Sequence, residues 1–168
     1  MRNPTGVTAY LALGANLGDR KKNIRAALES LANSDGIAVT RISSFLENPA
    51  VGAPAESPHF LNAAAQIKTT LGSHALLHCI LQIEHQLGRI RREKWEPRLI
   101  DIDLLLYGDE IISSQELVIP HPLMHERRFV LQPLAEIAPE AVHPVLQMTI
   151  DGLLQNLDRE PPTAHSNH

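Results

Sequence analysis

The stretch from 99 to 105 restricts the possible folds of this chain more than any other segment. Its residues alternate, so that isoleucine and leucine side chains would lie on one face of a β-strand and Asp101 and Asp103 on the other. At a rise of about 3.3 Å per residue, the two aspartates would lie roughly 6.6 Å apart. Two carboxylates at that spacing can hold one or two hard cations through oxygen ligands, and they leave room for phosphate.

Basic residues are concentrated just before this strand, at Arg89, Arg91, Arg92, Lys94 and Arg98. Metal-binding carboxylates on a rigid strand beside a basic loop favour transfer of a phosphate group. A simpler interpretation is a strand with one wet polar face and a set of solvated arginines. However, like charges at neighbouring same-face positions repel each other, and aspartate is depleted in strands. A bound cation therefore explains the pair of aspartates better.

Length and composition predict one globular domain over residues 1–157, with residues 158–168 as a flexible tail. The chain has 168 residues, 43% of them hydrophobic, and its net charge of −4 argues against a nucleic-acid partner. The single cysteine, Cys79, has apolar neighbours and is interpreted as a buried, reduced thiol. Because we find neither a membrane-spanning stretch nor a signal peptide at residues 1–8, we expect a cytoplasmic monomer that does not contact membranes.

Hydrophobic periodicity predicts the order strand, helix, strand, strand, helix, strand. The strands are expected at 8–13, 37–45, 60–69 and 99–105, and the helices after the capping residues Asp19 and Ser73. This order is that of the split βαβ arrangement, so we predict an α+β fold, a ferredoxin-like βαββαβ sandwich. Its antiparallel sheet would carry both helices on one face and leave the other face free, with the two aspartates directed toward the free face or the rim.

A C-terminal appendix is expected after this unit. Residues 110–119 predict small strands, residues 125–136 a helix broken or kinked at Pro133, and residues 149–157 a short helix. Earlier in the chain, residues 47–59 are rich in proline, alanine and glycine and are expected to form an irregular loop. A loop of this length inside a compact domain is often functional.

Motifs along the chain occur in an order that identifies a known family. The most specific is W-x-P-R-x-x-D-x-D at 95–103, and the supporting motifs are LGANLG at 13–18, NP-x-VG at 48–52, FLN at 60–62, LGRIR at 87–91, PHP at 120–122 and ER-x-FVL at 126–131. Over about residues 8–157 the chain resembles the 6-hydroxymethyl-7,8-dihydropterin pyrophosphokinases. The resemblance implies a ferredoxin-like fold and an ATP-dependent diphosphokinase. Such an enzyme moves pyrophosphate from ATP to the hydroxymethyl group of a reduced pterin and leaves AMP, a step of folate biosynthesis.

The resemblance also implies how ATP is held. Asp101 and Asp103 would bind two Mg²⁺ ions that bridge the phosphates. Arg89 and Arg98 would hold phosphates, and Arg98 would close on the transition state, since an arginine fork matches phosphate geometry. These four residues would be the catalytic set. Further ATP contacts are implied for Glu84, Arg91, His121 and Arg127. Without the resemblance, His121 would be interpreted as a turn residue between two prolines.

For the pterin, a flat polar ring, the resemblance implies stacking partners and amide-like hydrogen bonds. Phe60 and Phe129 match the family's stacking pair, although each alone would be interpreted as a core residue. Asn62 can offer both a donor and an acceptor to the ring edge. Trp95 would pack over the closed site. The loop residues implied in pterin recognition are Asn48, Pro49, Val51 and Gly52.

Three departures from the family pattern affect details of the site. Glu96 brings a negative charge into the basic loop, Pro58 and His59 suggest a different loop length, and Pro122 follows His121 where some members have tyrosine. Two other functions remain open from the residues alone. One is an RNA-binding module on the same type of sheet, which the negative net charge disfavours. The other is a D-x-D glycosyltransferase, which usually needs a larger nucleotide-binding domain.

Overall fold

A five-stranded antiparallel sheet forms the centre of the computed structural model, which describes residues 6–48, 59–88 and 99–159. Its strands are β1 (Val7–Ala15), β2 (Ile37–Ile42), β3 (Leu46–Asn48), β4 (Phe60–Thr69) and β5 (Asp101–Tyr107). Strands β2, β4, β1 and β5 lie side by side in that order, and β3 also pairs with β4. Strand β5 therefore lies at one edge of the sheet.

Helices and two small hairpins complete the described part of the chain. The helices are α1 (Arg20–Ala32), α2 (Ser73–Leu87), α3 (Arg128–Ile137) and α4 (Ile150–Arg159), and a 3₁₀ turn (Met124–Glu126) precedes α3. One hairpin pairs β6 (Ile112–Ser113) with β7 (Val118–Ile119), and the other pairs β8 (Val142–His143) with β9 (Met148–Thr149). Within the described ranges, no helix has the length and apolar character needed to cross a bilayer.

The first two helices cover one face of the sheet, as the ferredoxin-like prediction requires. Apolar stripes on α1 and α2 pack against alternate residues of the strands, so that Leu11, Leu13, Ile67, Ile100 and Ile102 are almost fully buried beneath them. The predicted fold class, including the separation of Ile100, Ile102 and Leu104 from the two aspartates, is therefore confirmed.

The prediction that the second face of the sheet is free was wrong. Helices α3 and α4 pack on that face and form a second core with Ala64, Leu105 and Leu106. A β-bulge makes this possible, because the pairing of β1 with β5 shifts between Tyr10 and Leu11 and leaves Leu105 as an extra residue. Two successive leucines of β5 thus contribute to the second core, and the molecule has three layers.

Several element boundaries differ from the predicted ones. Strand β2 ends at Ile42, and a separate strand β3 includes Glu47 and Asn48, which were expected in an irregular loop. Between them the Ser43 backbone N–H donates to the Ala64 carbonyl, and the Ser43 hydroxyl accepts from the Ala64 N–H. This contact keeps the chain beside β4, so that pairing resumes at Leu46.

The helix ends were also predicted imperfectly. Helix α2 is capped at Gly72 without a side-chain bond, so Ser73 is its first residue rather than its cap, whereas Asp19 caps α1 as predicted. Helix α3 continues through Pro133 to Ile137. Helix α4 extends to Arg159, and residues 160–168 lie outside the described part.

Two other expectations have different outcomes. Cys79 is only partly buried, against the prediction of a buried thiol, because it lies at the margin of the first core. The division between a domain ending at residue 157 and a flexible tail stays a prediction.

The buried His143 in β8 predicts a loss of stability in acid. Its Nδ1 accepts hydrogen bonds from the N–H groups of Val145 and Leu146, at 3.3 and 3.1 Å. Burial lowers the His143 pKa, and the neighbouring His125 lowers it further. The folded pKa of His143 lies below the unfolded value of about 6.5. The stability that neutral His143 contributes is therefore fully present above pH 6.5 and is lost as pH falls through the folded pKa.

The measurement is the urea midpoint of unfolding at pH 7.5 and at pH 5.5. We expect His143→Asn, whose side-chain oxygen can accept the same two N–H groups, to lose less stability between these pH values than the wild-type chain. An equal loss in both proteins would contradict the assignment to His143.

Candidate functional site

The site is built on one row of residues that crosses the sheet. Gly14 in β1 pairs with Asn62 of β4 on one side and with Asp101 of β5 on the other. In the next row, Ala12 pairs with Ala64 and with Asp103. Since directly paired residues point to the same face, both aspartates lie on the face that α3 covers, beyond the margin of the second core.

Gly14 leaves the middle of this row without a side chain. A Cβ atom there would lie 3.0 Å from Nδ2 of Asn62, which is closer than most real Cβ contacts. The side-chain amide of Asn62 therefore lies over the buried backbone of Gly14, and a side chain at position 14 would displace it.

The two predicted metal-binding carboxylates have the surroundings that Mg²⁺ requires. Asp101 is exposed and Asp103 is half-buried, and both lie on one face at the edge of the sheet. Within residues 6–48, 59–88 and 99–159 no group of three or more metal-binding side chains is present. Mg²⁺ commonly uses one or two carboxylates and completes its octahedron with water and substrate phosphates. The donor set of Asp101 and Asp103 fits that pattern.

A cleft of about 240 Å³ adjoins the aspartates, between helix α2 and the β6–β7 hairpin. Its lining is about as polar as it is apolar. The apolar residues include Leu77, Leu117 and the unusually exposed Leu81 and Val118, at 47% and 44%, and the polar residues are Glu84, Asp101, Asp103, Glu116 and His121. The apolar part of the cleft can take an aromatic base whose phosphates extend toward the metal-binding edge.

This cleft was not predicted from the sequence, where neither Leu77 nor Leu81 was singled out as a site residue. The available signal was Leu81 itself, a large apolar residue that does not belong to the buried stripe of α2 formed by Leu76, Ile80 and Ile83.

Glu84 lines the same cleft and also fastens β5. Its Oε2 accepts a hydrogen bond of 2.7 Å from the backbone N–H of Ile102. Ile102 belongs to an edge strand, where a side chain can satisfy a backbone group that has no neighbouring strand. Glu84 therefore fixes the residue between the two aspartates relative to α2.

His121 lies close to the metal-binding edge and is held in one orientation. The backbone N–H of His121 donates to the Leu105 carbonyl at 3.0 Å, and the ring Nδ1 accepts from the backbone N–H of Leu123 at 3.2 Å. Burial lowers the His121 pKa, Asp103 raises it, and Arg127 lowers it. The net direction is downward, so the imidazole is neutral at neutral pH and carries its proton on Nε2, where it can donate to an anion.

Arg127 and Phe129 lie at the start of helix α3. The Arg127 guanidinium carbon is 5.7 Å from the centroid of the Phe129 ring, which is a cation–π distance. Phe129 is half-buried at the margin of the second core, and Arg127 is also half-buried. The contact orients a cation that already interacts electrostatically with His121.

At the other side of the site, Asn48 and Phe60 form the last pair of the β3–β4 ladder. Asn62 lies one same-face position further along β4. Its side chain is 8% exposed, and its Oδ1 is buried without a hydrogen-bond partner among the described residues. Buried polar atoms are nearly always hydrogen-bonded, and an unpaired one costs about 1–3 kcal/mol. The oxygen is therefore available to a donor on a ligand.

The structure thus brings together two groups of predicted site residues. The aspartates, Glu84, His121 and Arg127 lie toward β5, and Asn48, Phe60 and Asn62 lie toward β3 and β4. Phe129 lies at the start of α3, beside Arg127. The remaining predicted site residues lie outside the described part of the chain, and they are Pro49, Val51, Gly52, Arg89, Arg91, Trp95 and Arg98.

Comparisons with known proteins agree on one family. The family described as 7,8-dihydro-6-hydroxymethylpterin-pyrophosphokinase (HPPK) matches residues 10–139. A 2-amino-4-hydroxy-6-hydroxymethyldihydropteridine pyrophosphokinase of Bacillus subtilis is 46% identical over 129 residues, which is 77% of either chain. The protein of that name from Haemophilus influenzae is 39% identical over 154 residues, which cover 92% of this chain and 96% of that protein.

Solved structures show the same fold. The Plasmodium falciparum HPPK-DHPS wild type with pterin and p-hydroxybenzoate matches with a TM-score of 0.68 and 18% identity, over 93% of this chain and 44% of that one. The same protein with pteroate matches with a TM-score of 0.69 and 16% identity, over 92% and 45%. The chain therefore spans less than half the length of these two structures.

Proposed function

Because the chain belongs to the 7,8-dihydro-6-hydroxymethylpterin-pyrophosphokinase family, it transfers pyrophosphate from ATP to hydroxymethyldihydropterin in folate biosynthesis, and we propose how its residues divide that work. The observation that carries the proposal is the row Asn62, Gly14 and Asp101. A buried amide oxygen with no hydrogen-bond partner among the described residues and a candidate metal-binding carboxylate lie on either side of a glycine on one sheet face. ATP would bind on the β5 side of this row, and the pterin on the β4 side.

On the ATP side, Asp101 and Asp103 hold two Mg²⁺ ions in this proposal. Family members use ATP with metal ions, and two carboxylates on one strand face support the finer assignment. When bound, the ions neutralise phosphate charge that would repel the incoming oxygen. His121 donates its Nε2 proton to a phosphate oxygen, Arg127 adds positive charge, and the adenine base occupies the apolar part of the cleft.

The arginines of the basic segment act on the same phosphates. We assign Arg89 and Arg91 to ground-state phosphate binding and Arg98 to the charge that develops in the transition state. These three residues, and Trp95 as a cover for the closed site, lie outside the described part of the chain. Their support is the motif itself and the position of Arg98 three residues before Asp101.

On the pterin side, Asn62 binds the ring edge through its amide, and Phe60 and Phe129 pack against the ring faces. The support is the buried Oδ1 of Asn62, which has no hydrogen-bond partner in the part of the chain that the structure describes, and the half-buried state of both rings. Asn48, with Pro49, Val51 and Gly52 of the following segment, completes recognition through backbone groups. The role of Asn48 is supported by its pairing with Phe60.

In this mechanism the chain holds its two substrates close together, and the nucleophile is the substrate hydroxyl rather than a side chain. The hydroxymethyl oxygen bonds to the β-phosphorus of ATP, the bond from that phosphorus to its α-bridging oxygen breaks, and the hydroxyl proton passes to solvent. AMP departs with the electron pair. In-line approach at roughly 3–3.5 Å is what the two sides of the site must hold.

Product analysis tests the proposal. Phosphorus NMR of the chain with Mg-ATP and 6-hydroxymethyl-7,8-dihydropterin is expected to show AMP and the pterin diphosphate in equal amounts. At a fixed ATP concentration, activity should keep rising with Mg²⁺ after all ATP has bound one ion, because a second ion is required. Formation of ADP and a pterin monophosphate would contradict attack at the β-phosphorus, and saturation by a single ion would contradict the two-ion site. A monomeric state, a cytoplasmic location and the lack of a nucleic-acid partner stay predictions.

A further inference from the structure

We propose that Arg20 is a positioning residue for the pterin side of the site. It acts from the opposite face of the sheet, through Glu47 and His59, on Asn48 and Phe60. The inference rests on the proposed function, because it takes Asn48 and Phe60 as pterin contacts.

The guanidinium of Arg20 joins both strands of the short β3–β4 ladder. Its Nη2 lies 3.0 Å from Oε1 of Glu47, in the middle of β3. Its Nη1 donates to the carbonyl of His59, the residue just before β4, at 2.5 Å. A planar guanidinium can make both contacts at once, whereas a lysine ammonium is a single point charge.

The ladder that Arg20 fastens is weak by itself. Strand β3 has three residues, and its pairs are Leu46 with Asn62, Glu47 with Leu61 and Asn48 with Phe60. A three-residue edge pairing contributes little stability without further contacts. The last pair is the one that would touch the pterin, and His59 lies directly beyond it. A contact that holds Glu47 and His59 together therefore limits the separation of Asn48 from Phe60.

Another contact fastens the same strand from the α3 side. The Glu136 carboxylate accepts from the Ser44 backbone N–H at 2.8 Å and from the Ser44 hydroxyl at 2.7 Å. This contact holds the chain just before β3, and Arg20 holds the strand near its end. The two contacts approach from opposite faces, because Arg20 comes from α1 and Glu136 from α3, which cover opposite faces of the sheet. Arg20 therefore affects the site without touching a substrate.

The position of Arg20 in its own helix also points to a role outside the helix. The first turn of α1 contains Arg20, Lys21 and Lys22 and no acidic residue. Cations at a helix N-terminus oppose the helix dipole. The Asp19 cap offsets part of this cost, since its side chain accepts from the Lys22 N–H at 3.1 Å. The carboxylate of Glu47 also compensates the charge of Arg20. No described residue does the same for the neighbouring Lys21.

Steady-state kinetics with two control variants test the inference. Arg20→Ala is expected to raise KM for the pterin about fivefold, with kcat and KM for ATP changed less than about twofold, since a half-exposed ion pair has a modest effect. Arg20→Lys should give an intermediate KM. Lys21→Ala removes the same charge from the same turn and should leave all three constants unchanged. An unchanged pterin KM in Arg20→Ala, or an equal rise in Lys21→Ala, would overturn the proposal.

A second pair of measurements separates positioning from general destabilisation. Hydrogen exchange of the β3 amides should accelerate in Arg20→Ala, while the amides that pair β1 with β5 keep wild-type protection. Glu47→Gln should raise the pterin KM as well, and the double variant should add little to either single change. Accelerated exchange across the whole sheet, or full additivity of the two substitutions, would contradict a local clamp.

Failure of this inference can be distinguished from failure of the proposed function. If Phe60→Ala leaves the pterin KM unchanged, the pterin assignment is wrong, and this inference fails with it. If Phe60→Ala raises the pterin KM while Arg20→Ala does not, the pterin assignment stands and only the role of Arg20 is rejected.

Discussion

Replacing Asp103 with alanine is expected to lower kcat by at least about a thousandfold and to leave the domain folded. The variant loses one of the two metal-binding carboxylates of the strand. In the absence of metal it also loses the repulsion between two like charges at neighbouring same-face positions. The melting temperature should therefore equal or exceed that of the wild-type chain. Asp101→Ala should lower kcat in the same way.

The pKa of His121 provides an independent test of the position of Asp103. The Asp103 carboxylate raises the His121 pKa against the larger effect of burial. In Asp103→Asn, a histidine proton resonance followed against pH should therefore titrate at lower pH than in the wild-type chain. Asp109→Ala is the matched control, because Asp109 is an exposed aspartate in the turn after β5. Full activity of Asp103→Ala, or a loss of activity in the Asp109 control, would reject the metal assignment.

Replacing Asn62 with leucine is expected to raise KM for the pterin by up to about a hundredfold and to stabilise the protein without ligand. Its Oδ1 is buried and unpaired among the described residues. Leucine has the same branched shape and number of side-chain heavy atoms, and it removes that buried polar atom, which costs about 1–3 kcal/mol when it is unsatisfied. The same change removes the hydrogen bonds to the ring edge. Stability and pterin binding should therefore move in opposite directions.

Thermal unfolding and pterin binding, each measured without ATP, check this prediction. Gln66→Leu is the matched control, since Gln66 lies on the same face of β4 two same-face positions further along and bonds to Thr40 at 2.9 Å. It should bind pterin normally. A lower melting temperature in Asn62→Leu would show that the amide is satisfied in the unliganded protein, and unchanged pterin binding would remove Asn62 from the site.

Some elements could be predicted from the sequence because their signals are local. Strand β4 was expected at residues 60–69 and is found at Phe60–Thr69, since its polar residues Asn62, Gln66 and Lys68 all fall on one face of a period-two pattern. The alternation of side chains along a strand also predicted that the two aspartates lie on the face opposite the isoleucines of β5. Strand β3 was missed because residues 47–59 contain many prolines, alanines and glycines. It forms through distant residues, Arg20 from α1 and Glu136 from α3.

The parts of the site that depend on register could not be predicted in this way. Nothing local indicates that Asn62 and Asp101 flank Gly14, because register is fixed by pairing between distant strands. The docking of α3 was missed for a related reason. Its apolar stripe, with Val130, Leu131 and Leu134, shows that the helix is buried but does not identify the surface that it covers.

The hydrogen-bonded pairing of β4, β1 and β5 fixes the distance between residues on opposite sides of β1. Neighbouring strands lie about 4.8 Å apart, so the backbones that carry Asn62 and Asp101 are roughly 9.6 Å apart across β1. No side-chain rotamer can change that interval. An acceptor with a shorter or longer arm between its ring and its hydroxyl would therefore present the oxygen out of line with the phosphorus, so selection by molecular length follows from the backbone itself.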